Sequence, residues 1–338
     1  MNSLEAQIAA YMAHRMPEAR EIVISELSRI YGGSSQETFS FRASWQAGGE
    51  TITRRLILRR DATAGLVVAE RDLEYNVYRA LAGQGLPIPG VYFLELDPKW
   101  LERPFFIMDQ CPGKPGSPFV PTDPYDGHGT AIGEQYWSIL GQLAAIDHRA
   151  VGLESLRNGN ATFGFGSLEL HRWEEILDDN EALIEPAVRG AIRWLRRNPP
   201  PEPAKPSIVH GDYRSGNFLF TEDGTISAIL DWEMCHVGDP LEDVAWGLDP
   251  FWPITRHYPM DAGLARWEAA SGMAIDHAAL EWWKLFTAIK ACVIWTTASA
   301  GFASGKNREM TMALSGIRAG HFHRDLILKM MRQRGAMG

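Results

Sequence analysis

The chain has 338 residues, 45% of them hydrophobic, which is enough apolar material for a large core and, by size, for two lobes or domains rather than one. A formal net charge of -9 removes the broad basic surface that duplex binding needs, so no nucleic-acid partner is expected. Three widely spaced cysteines, Cys111, Cys235 and Cys292, make no C-x-x-C pair; they suit a reducing compartment, and a cytoplasmic location is expected.

At the amino-terminal end Leu4, Ile8, Tyr11 and Met12 recur at helical spacing with charges between them, unlike the continuous apolar stretch of a signal peptide. Residues 21–113 are strand-rich with one evident helix. Residues 39–45 alternate like a half-buried strand, Gly48-Gly49 supplies a turn, and residues 51–59 return as its partner. Before this hairpin lies a small-residue turn, residues 31–38, in which backbone N–H groups and the hydroxyls of Ser34 and Ser35 can rest on phosphates; an ordinary hairpin entry is the alternative reading. Leu73, Val77 and Leu81 predict an amphipathic helix over residues 68–84, ending at Gly83 or Gly85. Residues 91–96 and 104–108 read as two further strands.

The Pro- and Gly-dense segment 111–127 predicts a connector. Beyond it the pattern is mainly helical: Ile132, Tyr136, Leu140, Leu143 and Ile146 form one stripe, and residues 173–197 carry one or two more helices, stopped by the Pro-rich stretch 198–206. Residues 280–303 are apolar enough to suggest a membrane span, but Glu281, Lys284 and Lys290 interrupt them. A buried core helix, and no membrane, is the expectation.

The segment 207–247 carries the chemistry. Residues 218–220 and 226–230 are short apolar strands, and Thr221-Glu222-Asp223-Gly224 between them is turn chemistry, so the two should pair as an antiparallel hairpin. That turn brings Asn217, just before the first strand, near Asp231, just after the second. Asp212 precedes Asn217 on a loop containing Gly211 and Gly216, which can curl to aim its carboxylate at the same spot. Three convergent oxygen ligands without thiolates suit a hard cation such as Mg2+, and a phosphate substrate follows. Asp239-Pro240-Leu241-Glu242 reads as a helix start, with Asp as N-cap, Pro at the first helical position and Glu at N3.

The run H-G-D-Y-R-S-G-N, followed by L-D-W and then by G-D-P-L-E-D-V-A, resembles the signature of the aminoglycoside phosphotransferase and choline kinase-like family. The resemblance implies an α+β, two-lobed protein-kinase-like fold, with a small antiparallel-sheet lobe over residues 1–109, a hinge at 110–116 and a larger, mainly helical lobe over 117–338. It implies that Asp212 is the catalytic-loop aspartate, that Asn217 and Asp231 bind Mg2+, and that ATP is the co-substrate for phosphoryl transfer to a small-molecule alcohol acceptor. His210 and Asp243 are implied as supports of the catalytic loop. Arg59 and Glu74 are implied to pair over the ATP phosphates, and Met108 to lie in the hinge segment that receives adenine.

Two departures are visible: arginine stands at position 59 where lysine is commoner, and a full G-x-G-x-x-G loop is missing. Arginine at this strand position resembles the subgroup that includes the kinase-like domain fused to some acyl-CoA dehydrogenases. A metal-dependent phosphohydrolase fits less well, since it needs several histidines near the carboxylates, and beyond His210 only His236 is close, in what reads as a solvated loop. A kinase-like nucleotide-binding module without turnover is the remaining alternative.

Overall fold

The computed structural model describes residues 3–30, 36–61, 72–117, 122–156, 163–180, 185–305 and 310–335. Its amino-terminal part is one five-stranded antiparallel sheet with two helices. Helix α1 (Leu4–Arg15) starts at Ser3, whose hydroxyl accepts from the Ala6 N–H at 3.3 Å. Strands β1 (Arg20–Ile30), β2 (Gln36–Ala47) and β3 (Glu50–Asp61), helix α2 (Leu73–Leu81), and strands β4 (Val91–Glu95) and β5 (Phe105–Asp109) follow, in the sheet order β1-β2-β3-β5-β4.

The β2–β3 turn uses Gly48 and Gly49 at φ 60° and 85°, the left-handed backbone that a two-residue hairpin connection demands. Alternation then sorts β3 into two faces. Leu56 and Leu58 are buried with Phe41 of β2, Phe105 and Ile107 of β5, and Ile8, Tyr11 and Met12 of α1. Arg59 takes the opposite face, where it meets α2. The helix expected over 68–84 is described from Leu73 to Leu81, and its first residues lie outside the described ones.

The carboxy-terminal part is mainly helical. It contains β6 (Lys114–Pro115), α3 (Gly129–Ala145), α4 (Phe165–Asn180), α5 (Pro186–Arg197), β7 (Ser207–Val209), β8 (Phe218–Phe220), β9 (Ile226–Ile229), β10 (His236–Gly238), α6 (Leu241–Gly247), α7 (Ile254–His257), α8 (Met260–Ser271), α9 (His277–Ala303) and α10 (Met310–Gln333). The expected stripe on α3 is buried at Ile132, Tyr136, Leu140 and Leu143. Residues 173–197 fall in two helices, the second opening with Pro186 at its first position, where a missing N–H costs nothing.

Among the described residues α9 is the one helix long and apolar enough to cross a membrane, and 61% of its apolar window is buried inside the molecule. It packs against α4, α5, α6 and α10. Two small ribbons carry the segment with the chemistry: β7 pairs antiparallel with β10, and β6-β8-β9 form a three-stranded sheet.

Candidate active site

Residues 210–217 form the loop between β7 and β8, and its backbone is held from several sides. Asp243 on α6 accepts the N–H of His210 at 2.6 Å and of Gly211 at 3.0 Å, the bracing role expected of it. Burial and the Glu242 carboxylate push Asp243 up to about 7, against these donors. Tyr213 exchanges hydrogen bonds with α3: its hydroxyl donates to the Tyr136 carbonyl at 2.9 Å, and the Tyr136 hydroxyl donates to the Tyr213 carbonyl at 2.8 Å. Ser215 bonds to the Tyr125 hydroxyl. Gly211 has φ +82°, and a Cβ there would lie 2.4 Å from the Met234 carbonyl oxygen, so only glycine fits.

Asp212 is 8% exposed, and its carboxylate is surrounded by donors. Oδ1 accepts from the Trp246 indole N–H and from Arg214 Nε, both at 2.9 Å; Oδ2 accepts from Asn217 Nδ2 at 2.7 Å and from Arg214 Nε at 3.1 Å. His210 ties this carboxylate's residue to the end of β9. The Asp212 N–H donates to Nδ1 at 3.1 Å, which fixes the ring as the tautomer protonated on Nε2, and that nitrogen donates to the Leu230 carbonyl at 2.9 Å. Burial pulls His210 down to about 4, so the imidazole is neutral and can make these two hydrogen bonds.

The β8–β9 hairpin forms as expected, with the Thr221 N–H on the Thr225 carbonyl at 2.9 Å and Gly224 at φ +79°. Across its open end the Leu230 N–H donates to the Asn217 carbonyl at 2.8 Å, which brings residue 217 beside residue 231. Asp231 stands in the left-handed region at φ 70°, ψ 58°, strained for a residue with a β-carbon, and such strain persists where the surroundings over-determine a site.

Arg59 reaches this carboxylate from the sheet: Nη2 lies 3.0 Å from Asp231 Oδ1 and Nη1 2.8 Å from Glu74 Oε1. The pair expected between strand and helix is thus present, and it extends to a third partner. Burial disfavours the Asp231 charge, but Arg59 outweighs it and holds the carboxyl below the usual carboxylate range. The rival cation Arg60 turns instead to Glu37 at 2.7 Å.

The donor set fits a hard divalent cation. Both N–H groups of the Asn217 amide are spent on Asp212, its carbonyl at 2.9 Å and Oδ2 at 2.7 Å, which leaves Oδ1 without a protein donor among the described residues. Asp231 keeps Oδ2 in the same state, with its side chain 31% exposed. Two oxygens of this kind, one amide and one carboxylate, are the ligands that Mg2+ prefers.

A model of the phosphotransferase enzyme family matches residues 27–283, a stretch that contains every side chain of this cluster. The chain belongs to this family. It is 28% identical over 246 residues to acyl-CoA dehydrogenase family member 10 of Mus musculus; the match takes in 69% of this chain, which spans only 21% of the mouse protein's length. Among solved structures, a Ralstonia eutropha protein presented as a candidate aminoglycoside phosphotransferase superposes with a TM-score of 0.73 at 21% identity, covering 97% of this chain and 98% of that one. A thermostable mutant of the aminoglycoside phosphotransferase APH(4)-Ia in ternary complex with ADP and hygromycin B gives a TM-score of 0.59 at 18% identity over 96% of this chain and 98% of that one. The fold is therefore the two-lobed kinase-like one that the family signature implied.

Other expectations meet the structure less simply. Ser34 and Ser35 lie outside the described residues. Met108 is buried on β5 in the main core, beside the segment read as the hinge. His236 is not solvated: it is 2% exposed on β10, with Nε2 3.1 Å from Glu242. Glu242 does not fold back on the start of α6 as a capping partner either; the Leu241 N–H is capped by Asp239 Oδ1 at 2.9 Å, while Glu242 turns inward to His236 and Lys290. Two donors to Asp212 lie beyond the residues that the sequence marks for the site. Arg214 stood in plain view two residues after the aspartate, whereas Trp246 was indistinguishable from its core neighbours.

Proposed function

We propose that the chain is a cytoplasmic ATP-dependent small-molecule kinase, transferring the γ-phosphoryl group of ATP to a hydroxyl of a small acceptor. The observation that carries this reading is the double ion pair of Arg59. It draws β3, α2 and Asp231 to one point beside the Asp212 loop, and no structural need explains why a strained aspartate should be gathered there.

Asp212 takes the acceptor's O–H as a hydrogen-bond partner and turns its oxygen towards the phosphoryl group. For that, one present donor must give way. Arg214 is the one that can, since its side chain is 22% exposed while Trp246 and Asn217 are buried. Once released it is a mobile cation beside the transferring group. Asn217 and Asp231 are the residues that would hold Mg2+, which supplies positive charge against the phosphate oxygens. Arg59, held by Glu74, adds a fixed charge on the nucleotide side, and Met108 backs the adenine end.

The test is ADP release from Mg·ATP across a panel of alcohol acceptors. Asp212→Ala should lower turnover about a thousandfold while leaving nucleotide binding in place. Turnover close to wild type in that variant would remove Asp212 from its role.

A further inference from the structure

Helix α9 is apolar along most of its length, yet Lys290 sits near its middle and is 1% exposed. Burying an ammonium is costly unless it is fully partnered, and hydrophobic replacement of such groups is often harmless to stability, so its presence there asks for a reason beyond packing. Lys290 Nζ donates to Glu242 Oε1 at 2.8 Å and to the Gly211 carbonyl at 2.5 Å. The other Glu242 oxygen pairs with His236 Nε2 at 3.1 Å, while His236 Nδ1 lies 3.0 Å from the Met234 carbonyl and Glu169 Oε1 stands 3.8 Å from Nε2. With Arg172 Nη1 3.8 Å from Glu169 Oε2, three cationic groups thus face two carboxylates. Glu169, His236 and Glu242 are close enough together to suggest a metal centre, but the ammonium already supplies the cation there.

The position of this group matters more than its energy. Gly211 immediately precedes Asp212; its N–H is held by Asp243 and its C=O by Lys290, so the peptide groups on both sides of this residue are held. The same ammonium lies 5.4 Å from the centre of the Trp246 ring, whose N–H is a donor to Asp212 Oδ1. Trp173 covers it from another side at 5.2 Å. One buried charge therefore touches both the backbone and the indole that aim the Asp212 carboxylate.

The geometry points to Lys290, with Glu242 and His236 behind it, as a positioning residue for phosphoryl transfer, fixing residues 210–212 and Trp246 so that the Asp212 carboxylate meets the acceptor hydroxyl. This rests on the kinase reading of the site. The double variant Lys290→Met/Glu242→Gln removes one charge of each sign and keeps the shapes close, which should preserve the fold.

The probe is Mg·ATP with water as acceptor, read as single-turnover ADP formation at saturating nucleotide, alongside nucleotide Kd and urea unfolding. In the folded double variant the rate should fall about tenfold or more while Kd stays within about threefold of wild type. A wild-type rate in the folded variant would overturn the positioning role and leave the kinase reading intact. No ADP from the wild-type protein with nucleotide bound, either in water or with any alcohol of the acceptor panel, would instead sink the kinase reading. Should the double variant not fold, Lys290→Met alone is read in the same way, and failure of both to fold would make the ammonium purely structural and end the proposal.

Discussion

Asp231 combines two features that a single substitution separates: a left-handed backbone and a carboxylate shared with Arg59. Asparagine tolerates that backbone better than most residues, so Asp231→Asn should stay within about 1 kcal/mol of wild-type stability. It keeps an oxygen but loses the charge, so the magnesium-dependent thermal stabilisation by ATP should largely disappear; stabilisation of wild-type size would show that this side chain holds no metal. At this scale the sequence was legible where a residue's chemistry is unusual for its place. Asp212, Asn217 and Asp231 are polar groups at hairpin and loop ends, and Arg59 is a cation at the end of an apolar strand. Trp246 was not legible, because an indole that donates to a catalytic carboxylate and one that fills a core look alike until the fold brings helix and loop together. His236 and Glu242 misled for the related reason that charges buried in pairs read, one by one, as exposed.

The β8–β9 hairpin is the element that turns sequence spacing into site geometry. Its strands are readable from their apolar runs and its turn from the Thr-Glu-Asp-Gly chemistry, whereas β1 carries no such run, since charged residues such as Arg20, Glu21, Glu26 and Arg29 obscure its alternation. Gly224 holds the turn at φ +79°, and a Cβ there would come 2.8 Å from the His128 side chain. Gly224→Ala therefore adds backbone strain to a steric push on the start of α3, together about 1–3 kcal/mol. Urea unfolding should show that loss as a lower midpoint with an unchanged slope. A midpoint equal to wild type would mean that the hairpin does not need the left-handed residue, and that the convergence of Asn217 and Asp231 is fixed elsewhere.

Across the whole molecule the buried charges give stability a pH dependence of definite sign. Burial pulls His236 down, but Glu169 and Glu242 outweigh it and raise the imidazole from 6.5 to about 9, so the folded protein holds a proton there that the unfolded chain releases. The stabilisation is complete below pH 6.5 and is lost as pH rises through 9; between pH 7 and 9 it amounts to about 2 kcal/mol. Groups titrating lower down act in opposite senses. His210, brought to about 4 by burial, adds stability as pH rises from 4 to 6.5, while Asp239 and Asp243, raised by burial to about 6 and about 7, remove it from 3.8 upward. The contributions of His210 and Asp239 offset one another in acid and are spent near pH 7, while Asp243, half titrated there, removes only about 0.4 kcal/mol more, in the same direction as His236, which dominates the alkaline limb. The urea midpoint should therefore fall between pH 7 and 9, and His236→Gln, which cannot take up the proton, should flatten that fall even if it is less stable at pH 7. An equal decline in both proteins would place the released proton on another group and leave His236 neutral beside Glu242, so that Lys290 and Arg172 alone would balance Glu169 and Glu242 behind the loop 210–217.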